Sequence, residues 1–230
     1  MFLSVVMPAY NEEGSIVQVL RDHVAVLERL DLEAWEIVCV DDGSTDKTPE
    51  LLAEFQRTEP RLHVIRQHNQ GIYSAFTCCY RNARGTYIYS TGSDGQWPVE
   101  NLLPMLDRAR SGAGLVIGVR SNLKDVYAPL RQVISRTFNL LPRVVFGVRL
   151  GDAGSVKLGL REIFQMELIS RSPFFEAERI IRAQRAGHRL AYVPIRFLRR
   201  GAGKEGGASW KNVRNSIRDL LLCTWKLGIR

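Results

Sequence analysis

Hydrophobic positions in the first half of the chain come in short blocks whose period switches between strand and helix. Phe2–Met7 is an apolar, β-branched run stopped by Pro8, the pattern of a buried strand. Ser15–Leu30 carries apolar residues at 16, 19, 20, 24, 27 and 30, which is a helical period. Trp35–Val40 predicts a second buried strand that closes on Asp41–Asp42–Gly43. Thr45–Phe55 predicts a helix with Asp46 as its N-cap, and His63–Arg66 a third strand. Ile72–Ala83 is helical, Thr86–Ser90 a fourth strand, Pro98–Arg110 a helix and Leu115–Val119 a fifth strand. Strands alternating with helices imply an α/β fold with a parallel sheet built from βαβ units. Such sheets bind ligands beyond the carboxyl ends of their strands. The polar segments 8–13, 41–46, 67–71 and 91–97 each follow a predicted strand.

After residue 120 the pattern loosens. Residues 121–160 mix apolar runs with Arg131, Arg136, Arg143 and Arg149. Glu176–Ala186 predicts a helix and Leu190–Phe197 a strand. Arg199–Ser209 is rich in glycine and basic residues and reads as a loop. Trp210–Leu227 predicts a final amphipathic helix. Its apolar positions 210, 213, 217, 220, 221, 224 and 225 form one stripe, counting the Thr224 methyl, and Lys211, Arg214, Arg218 and Lys226 lie off it.

Composition adds little until charge is located. Apolar content of 45% and charged content of 24% are those of a soluble globular protein. No run approaches the roughly 18 apolar residues of a membrane-spanning helix. The N-terminal stretch meets Asn11–Glu12–Glu13 too soon to be a secretory signal, so a cytoplasmic location is expected. Cys39, Cys78, Cys79 and Cys223 show neither metal-ligand spacing nor a disulfide framework. The net charge is 32 − 24 = +8, yet residues 179–230 hold 13 Lys/Arg against Glu205 and Asp219, or +11. Residues 1–178 are therefore 19 − 22 = −3. Either an anionic partner meets the C-terminal end or that end is a solvated basic face. No nucleic-acid-binding signature is present, so nucleic acid is not expected as the partner.

Two polar segments carry recognisable chemistry. Asp41–Asp46 ends the second strand, where a carboxylate can accept hydrogen bonds from a base or ribose, although Asp, Gly and Ser are also ordinary turn residues. Gly92–Gln96 follows the fourth strand. There Asp94 and the Gln96 carbonyl offer the oxygen ligands that Mg²⁺ or Mn²⁺ takes beside a diphosphate.

Taken together, Val6–Glu13, Val40–Asp46, Asn69–Gly71 and Asp94–Gln96 resemble, in order and spacing, the family 2 glycosyltransferases of GT-A fold. The resemblance covers residues 1–120 firmly and continues more loosely to about 205. It is closest to dolichol-phosphate mannose synthases and bacterial polyprenyl-phosphate glycosyltransferases. It implies a GT-A (Rossmann-like), mostly parallel sheet flanked by helices. It also implies inverting transfer of a sugar from GDP-mannose or a UDP-sugar to a polyprenyl or dolichyl phosphate, in cell-envelope glycan assembly. Carried over by position, Pro8, Ala9, Tyr10, Glu12, Asp42, Asn69, Gly71 and Ser93 would surround the nucleotide, and Asp94 and Gln96 would hold the metal. The family's Asp-x-Asp has Gly92 in its first position here.

In the second half, Val116–Arg120 resembles the family's Val-x-Gly-x-Arg strand, and Asp152–Lys157 its Asp…Gly-Phe-Lys segment. Phe175–Glu178 resembles a helix start whose glutamate aligns with Glu178. Pro194–Lys204 resembles the closing Pro-to-Gly segment. Asp94, Arg120, Arg131, Glu178 and Arg200 are the candidates for catalytic residues, and Arg131, Arg200 and Lys204 are the candidates for contacts to the acceptor phosphate or the diphosphate. The expected division is a GT-A domain over 1–205, with 1–120 binding nucleotide sugar and 121–205 binding acceptor, followed by a basic amphipathic helix over 206–230. That helix, with Trp210 and Trp225 near its ends, fits an anionic membrane surface on the cytoplasmic face. It equally fits packing on the domain or a homo-oligomer contact. Two other readings stand beside this one. Transfer to a hydroxyl acceptor would need a carboxylate base, with Asp152, Glu176 or Glu178 as candidates. A degenerate, nucleotide-binding relative is the other.

Overall fold

In the computed structural model the described residues are 1–122, 140, 142–199 and 210–228. They form a seven-stranded sheet with helices on both faces. The strands are β1 (Phe2–Ala9), β2 (Ala34–Asp41), β3 (Leu62–Arg66), β4 (Tyr87–Ser90), β5 (Leu115–Arg120), β6 (Lys157–Leu160) and β7 (Leu190–Ile195). The helices are α1 (Ile16–Leu27), α2 (Thr48–Thr58), α3 (Ile72–Asn82), α4 (Leu102–Arg110), a single turn α5 (Arg161–Phe164), α6 (Phe175–Arg185) and α7 (Trp210–Leu227).

The strand order is β3-β2-β1-β4-β6-β5-β7. Pairing is parallel except at β6, which runs antiparallel to β4 and to β5. Side-chain alternation fills the two faces. Leu3, Val5 and Met7 of β1, with Ile37 and Cys39 of β2, pack against Ile16 and Leu20 of α1 and Leu52 of α2. Val6, Val38 and Val40 point the other way, onto Ala75 and Cys79 of α3 and Ile180 of α6. Both faces are covered, so these strands are apolar on both sides apart from the buried Ser4–Glu36 pair, bonded at 2.6 Å.

Strand β6 is absent from the periodicity. It has four residues, begins with a lysine and contains Gly159. That glycine permits the close approach of β5, since a Cβ there would lie 2.7 Å from the Gly114 carbonyl oxygen. Helix α2 starts at Thr48, three residues later than its pattern predicts. The N-cap position is Lys47 and not the expected Asp46, although Asp46 Oδ1 accepts the Thr48 N–H at 2.9 Å from one residue earlier. Strand β1 continues through Pro8 to Ala9, whose carbonyl accepts the Asp42 N–H at 2.8 Å.

Helix α7 corrects the simple amphipathic picture. It docks through Ser216, Asp219 and Cys223, all buried, with Leu220 packed beside them. Asp219 Oδ2 accepts the backbone N–H groups of Arg171 (3.0 Å) and Ser172 (2.9 Å). Much of the apolar stripe faces outward: Trp210, Ile217, Leu221 and Trp225 are exposed, Trp210 and Trp225 by 89% and 80%. Among the described residues no helix is long and apolar enough to cross a membrane.

Candidate active site

Strands β1, β2 and β4 end side by side, and the loops after them are laced together by short hydrogen bonds. Asn11 adopts a left-handed conformation (φ 54°), which lets its Oδ1 accept the Thr45 N–H at 2.8 Å while its own N–H donates to Ser44 Oγ at 2.9 Å. The Glu12 N–H donates to Thr48 Oγ1 at 2.8 Å. Gly43 turns the β2 loop at φ +74°, where a Cβ would lie 2.7 Å from the Asn69 nitrogen. Asp42, buried, binds the loop after β3. Its Oδ1 accepts the Gln70 N–H (2.9 Å) and the Gln67 side-chain amide (2.7 Å), and its Oδ2 accepts the Gly71 N–H (2.8 Å). Ser93 Oγ donates to the Pro8 carbonyl at 2.7 Å, which ties the loop after β4 to the end of β1.

These loops surround a cleft of about 590 Å³. Pro8, Ala9, Tyr10, Glu12, Asp42, Asn69, Gly71, Ser93 and Asp94 all line it, joined by Trp97, Phe175 and Glu176. Eight residues expected to surround the nucleotide, together with Asp94, therefore converge at one site. Two of the eight spend their polar groups inside the protein. Asp42 holds the 67–71 loop, and Ser93 bonds Pro8.

Asp94 is half-buried on the cleft wall, and its Oδ1 accepts the Gln96 N–H at 3.0 Å. Gln96 is turned away. Its carbonyl accepts the Leu198 N–H (2.9 Å) and its side-chain amide donates to the Leu198 carbonyl (3.0 Å), so it anchors the chain leaving β7. Gly92 lies under Trp97, and a Cβ added there would sit 3.1 Å from Trp97 Cδ1. Among the described residues no group of three or more His, Cys, Asp or Glu converges as a metal cage. Of the two expected metal donors only Asp94 lines the cleft, which Glu12 and Glu176 also line. That fits an ion such as Mg²⁺ or Mn²⁺ held mainly by diphosphate oxygens and water.

The residues expected in the second half separate into scaffold and cleft. Arg120 does not line the cleft. Its guanidinium grips the buried Asp152 through Nε (2.6 Å) and Nη2 (2.7 Å), with the Phe197 ring centroid 5.1 Å from Cζ. Glu178 is also not a cleft residue. It is fully buried, accepting the N–H groups of Ile169 (2.9 Å) and Ser170 (2.7 Å) and pairing with Arg182 at 2.7 Å. Burial alone would raise the Glu178 carboxyl pKa, and these donors overcome that and lower it. Two positions earlier on α6, Glu176 does face the cleft and pairs with Lys157 Nζ at 2.7 Å. The family resemblance points to Glu178, with Glu176 expected only as a candidate base toward a hydroxyl acceptor. The signal that would have favoured Glu176 is helical phase, because two positions on a helix point about 200° apart. Arg131, Arg200 and Lys204 lie outside the described residues.

Residues 4–166 match the family described as glycosyl transferase family 2. The chain belongs to glycosyl transferase family 2. Undecaprenyl-phosphate 4-deoxy-4-formamido-L-arabinose transferase of Salmonella paratyphi A is 30% identical over 99% of this chain and 69% of that protein. Its counterpart in Pectobacterium carotovorum is 33% identical over the same shares. Glycosyltransferases of known structure have the same fold. Mannosyl-3-phosphoglycerate synthase from Rubrobacter xylanophilus superposes with a TM-score of 0.77 at 14% identity, over 99% of this chain and 75% of that one. Glucosyl-3-phosphoglycerate synthase from Mycobacterium tuberculosis, solved with Mn²⁺, UDP and glucosyl-3-phosphoglycerate, gives 0.67 at 19% identity, over 96% and 79%. The α/β architecture is thus GT-A, and the protein is a glycosyltransferase.

Proposed function

We propose that this glycosyltransferase moves a sugar from a nucleotide sugar to a polyprenyl phosphate while seated on a membrane surface. The observation that carries the reading is the convergence of the motif loops and Asp94 around one cleft at the carboxyl ends of β1, β2 and β4. The relatives named for undecaprenyl phosphate support the acceptor class.

The chemistry follows from the charge on the acceptor. A lipid phosphate is already anionic at neutral pH and attacks the sugar's C1 without a general base. The protein's tasks are then alignment and stabilisation of the departing diphosphate. The loops bound by Asp42 and Ser93 form the nucleoside wall. Asp94 would hold the divalent ion, which when bound neutralises charge on the leaving diphosphate. The acceptor phosphate is assigned to Arg131, Arg200 and Lys204 from their sequence positions. Arg120 and Glu178 act as positioning residues, through Asp152 and through the 169–170 turn. The outward stripe of α7, flanked by exposed Arg214, Arg218 and Lys226, is the proposed membrane contact.

The test is a panel of UDP- and GDP-sugars incubated with polyprenyl phosphate and Mn²⁺ or Mg²⁺, with the glycolipid detected by mass. A sugar-polyprenyl phosphate product is expected, and Asp94→Ala should abolish it with thermal unfolding unchanged. Turnover that survives Asp94→Ala removes this residue from the mechanism. Hydrolysis or transfer to a hydroxyl with none to lipid phosphate overturns the acceptor.

A further inference from the structure

Glu176 lines the cleft yet belongs to none of the segments assigned to nucleotide, metal or acceptor phosphate. Its surroundings point to a ligand with hydroxyl groups. Lys157 Nζ lies 2.7 Å from Glu176 Oε2 and also donates to the carbonyls of Ala153 (2.7 Å) and Ser155 (2.8 Å). Lys157 is thus held by two hydrogen bonds to carbonyls and by its charge contact with Glu176. Lys157 is buried, and Glu176 Oε2 is buried against it. On the other side, the Tyr80 hydroxyl is 3.4 Å from Glu176 Oε1 and 2.8 Å from Ser90 Oγ. Oε1 thus has one long protein contact and acceptor capacity left over.

The position of this pair follows from the sheet. The cleft-lining segments run, in strand order, from Asp42 after β2, through Pro8 and Ala9 at the end of β1, to Asp94 beyond β4, and then to β6. Lys157 is the β6 partner of Ser90 in the β4–β6 ladder. From β2 to β6 is three strand spacings, roughly 14 Å, a distance that accommodates a nucleotide sugar lying across the strand ends. With the nucleoside at Asp42 and the diphosphate at Asp94, the sugar falls at β6, beside Glu176. Charge agrees with that placement. A lone carboxylate there would repel the neighbouring diphosphate, whereas the Lys157–Glu176 pair is neutral and still presents a strong acceptor.

We propose that Glu176 is a donor-sugar recognition residue whose Oε1 accepts hydrogen bonds from sugar hydroxyls, and that Lys157 is its positioning residue. The inference rests on the reading that a nucleotide sugar fills this cleft.

Calorimetry tests it, with UDP, GDP, UDP-glucose, UDP-galactose and GDP-mannose titrated into the wild type, Glu176→Ala, and the double variant Lys157→Met with Glu176→Leu. The double variant removes both charges together and leaves no buried ammonium unpaired. The wild type should bind at least one of these nucleotide sugars more tightly than its nucleoside diphosphate. In both variants that advantage should shrink by at least about tenfold, with affinity for the nucleoside diphosphate unchanged. An advantage kept intact in a folded variant makes Glu176 a structural partner of Lys157 and overturns the proposal, while the nucleotide-sugar reading stands. A wild type that binds none of the five ligands overturns both.

Discussion

Replacing Asp42 by alanine separates two roles that a strand-end carboxylate can have in this fold. Here the carboxylate accepts three hydrogen bonds from the 67–71 loop, at 2.7, 2.8 and 2.9 Å. Bonds to a charged acceptor contribute about 1.5–3 kcal/mol each when the partner is left stranded. Gln70 is exposed and Gly71 half-buried, so the freed N–H groups regain water. The lower figure of about 1 kcal/mol per bond then applies, giving a loss of about 3 kcal/mol. For a domain of this size that is a fall in Tm of about 6–12 °C. The same loop carries Asn69 and Gly71 into the cleft, so ordering it on binding should weaken UDP or GDP by about 100-fold. Differential scanning fluorimetry and calorimetry on one preparation measure both quantities, and hydrogen exchange at Gln70 and Gly71 reports the loop directly. Unchanged Tm and exchange with lost nucleotide affinity would show that Asp42 touches the ligand itself. A lowered Tm with unchanged affinity would remove the loop from the nucleoside site.

Three further outcomes are expected. Gly92→Asp adds a second carboxylate beside Asp94 at the cost of moving Trp97, whose Cδ1 and Nε1 would lie 3.1 and 3.2 Å from the new Cβ. It should lose about 1–3 kcal/mol of stability and lower the Mn²⁺ concentration for half-maximal turnover, and an unchanged Mn²⁺ dependence refutes the alignment. His23 is buried with Nδ1–H donating to the Val19 carbonyl at 2.7 Å, and burial lowers its pKa below 6.5. The unfolded chain therefore binds a proton that the folded one refuses, so stability is complete above pH 6.5 and declines below it by at most about 1.4 kcal/mol per pH unit. Urea unfolding at pH 7.5 and 5.5 should show that decline reduced in His23→Gln, and equal declines would exclude His23 as its source. Ile217→Asp and Leu221→Asp alter only the outward face of α7. Each should cut binding to anionic liposomes by about tenfold or more and leave nucleotide binding intact, whereas unchanged liposome binding excludes that face as the membrane contact.

Much of this architecture is legible in the sequence because period and polarity agree in β1 to β5 and α1 to α4. The cleft is legible because its residues sit in loops at strand ends, where spacing along the chain maps onto neighbouring positions in space. What escaped depends on partners distant in sequence. Strand β6 is hidden because its lysine is buried, and the counter-charge that makes that burial tolerable, Glu176, lies 19 positions later. Glu176 and Glu178 cannot be ranked by spacing to a motif, since the choice depends on which face of α6 meets the cleft. Arg120 carries a motif position but is committed to Asp152, a pairing that β5 and the 152 turn create only in the folded chain. The α7 stripe was readable but not its direction. Asp219 turns inward, where it accepts the N–H groups of the 171–172 backbone.

Bonds made by four arginines redistribute the C-terminal charge. Arg179 is buried between the Tyr80 and Phe164 rings and donates to the Ile163 and Phe164 carbonyls, and Arg182 pairs with Glu178. Arg185 donates to the carbonyls that end α7, and Arg189 to the Ser111 carbonyl. These cations cap turns and helix ends, so they contribute structure more than attraction for an anionic partner. Arg214, Arg218 and Lys226 remain exposed on α7 itself, beside exposed Trp210, Ile217, Leu221 and Trp225. Cations on a soluble domain's solvated face would not need an apolar row beside them, and an apolar row facing water is unfavourable without an occupant. On the proposed membrane reading, a bilayer surface would satisfy both groups at once, with phosphates for the arginines and the acyl boundary for the tryptophans. The helix is anchored to the domain by Asp219 and Cys223 on its opposite side, so membrane docking through this face requires no unfolding of the catalytic sheet.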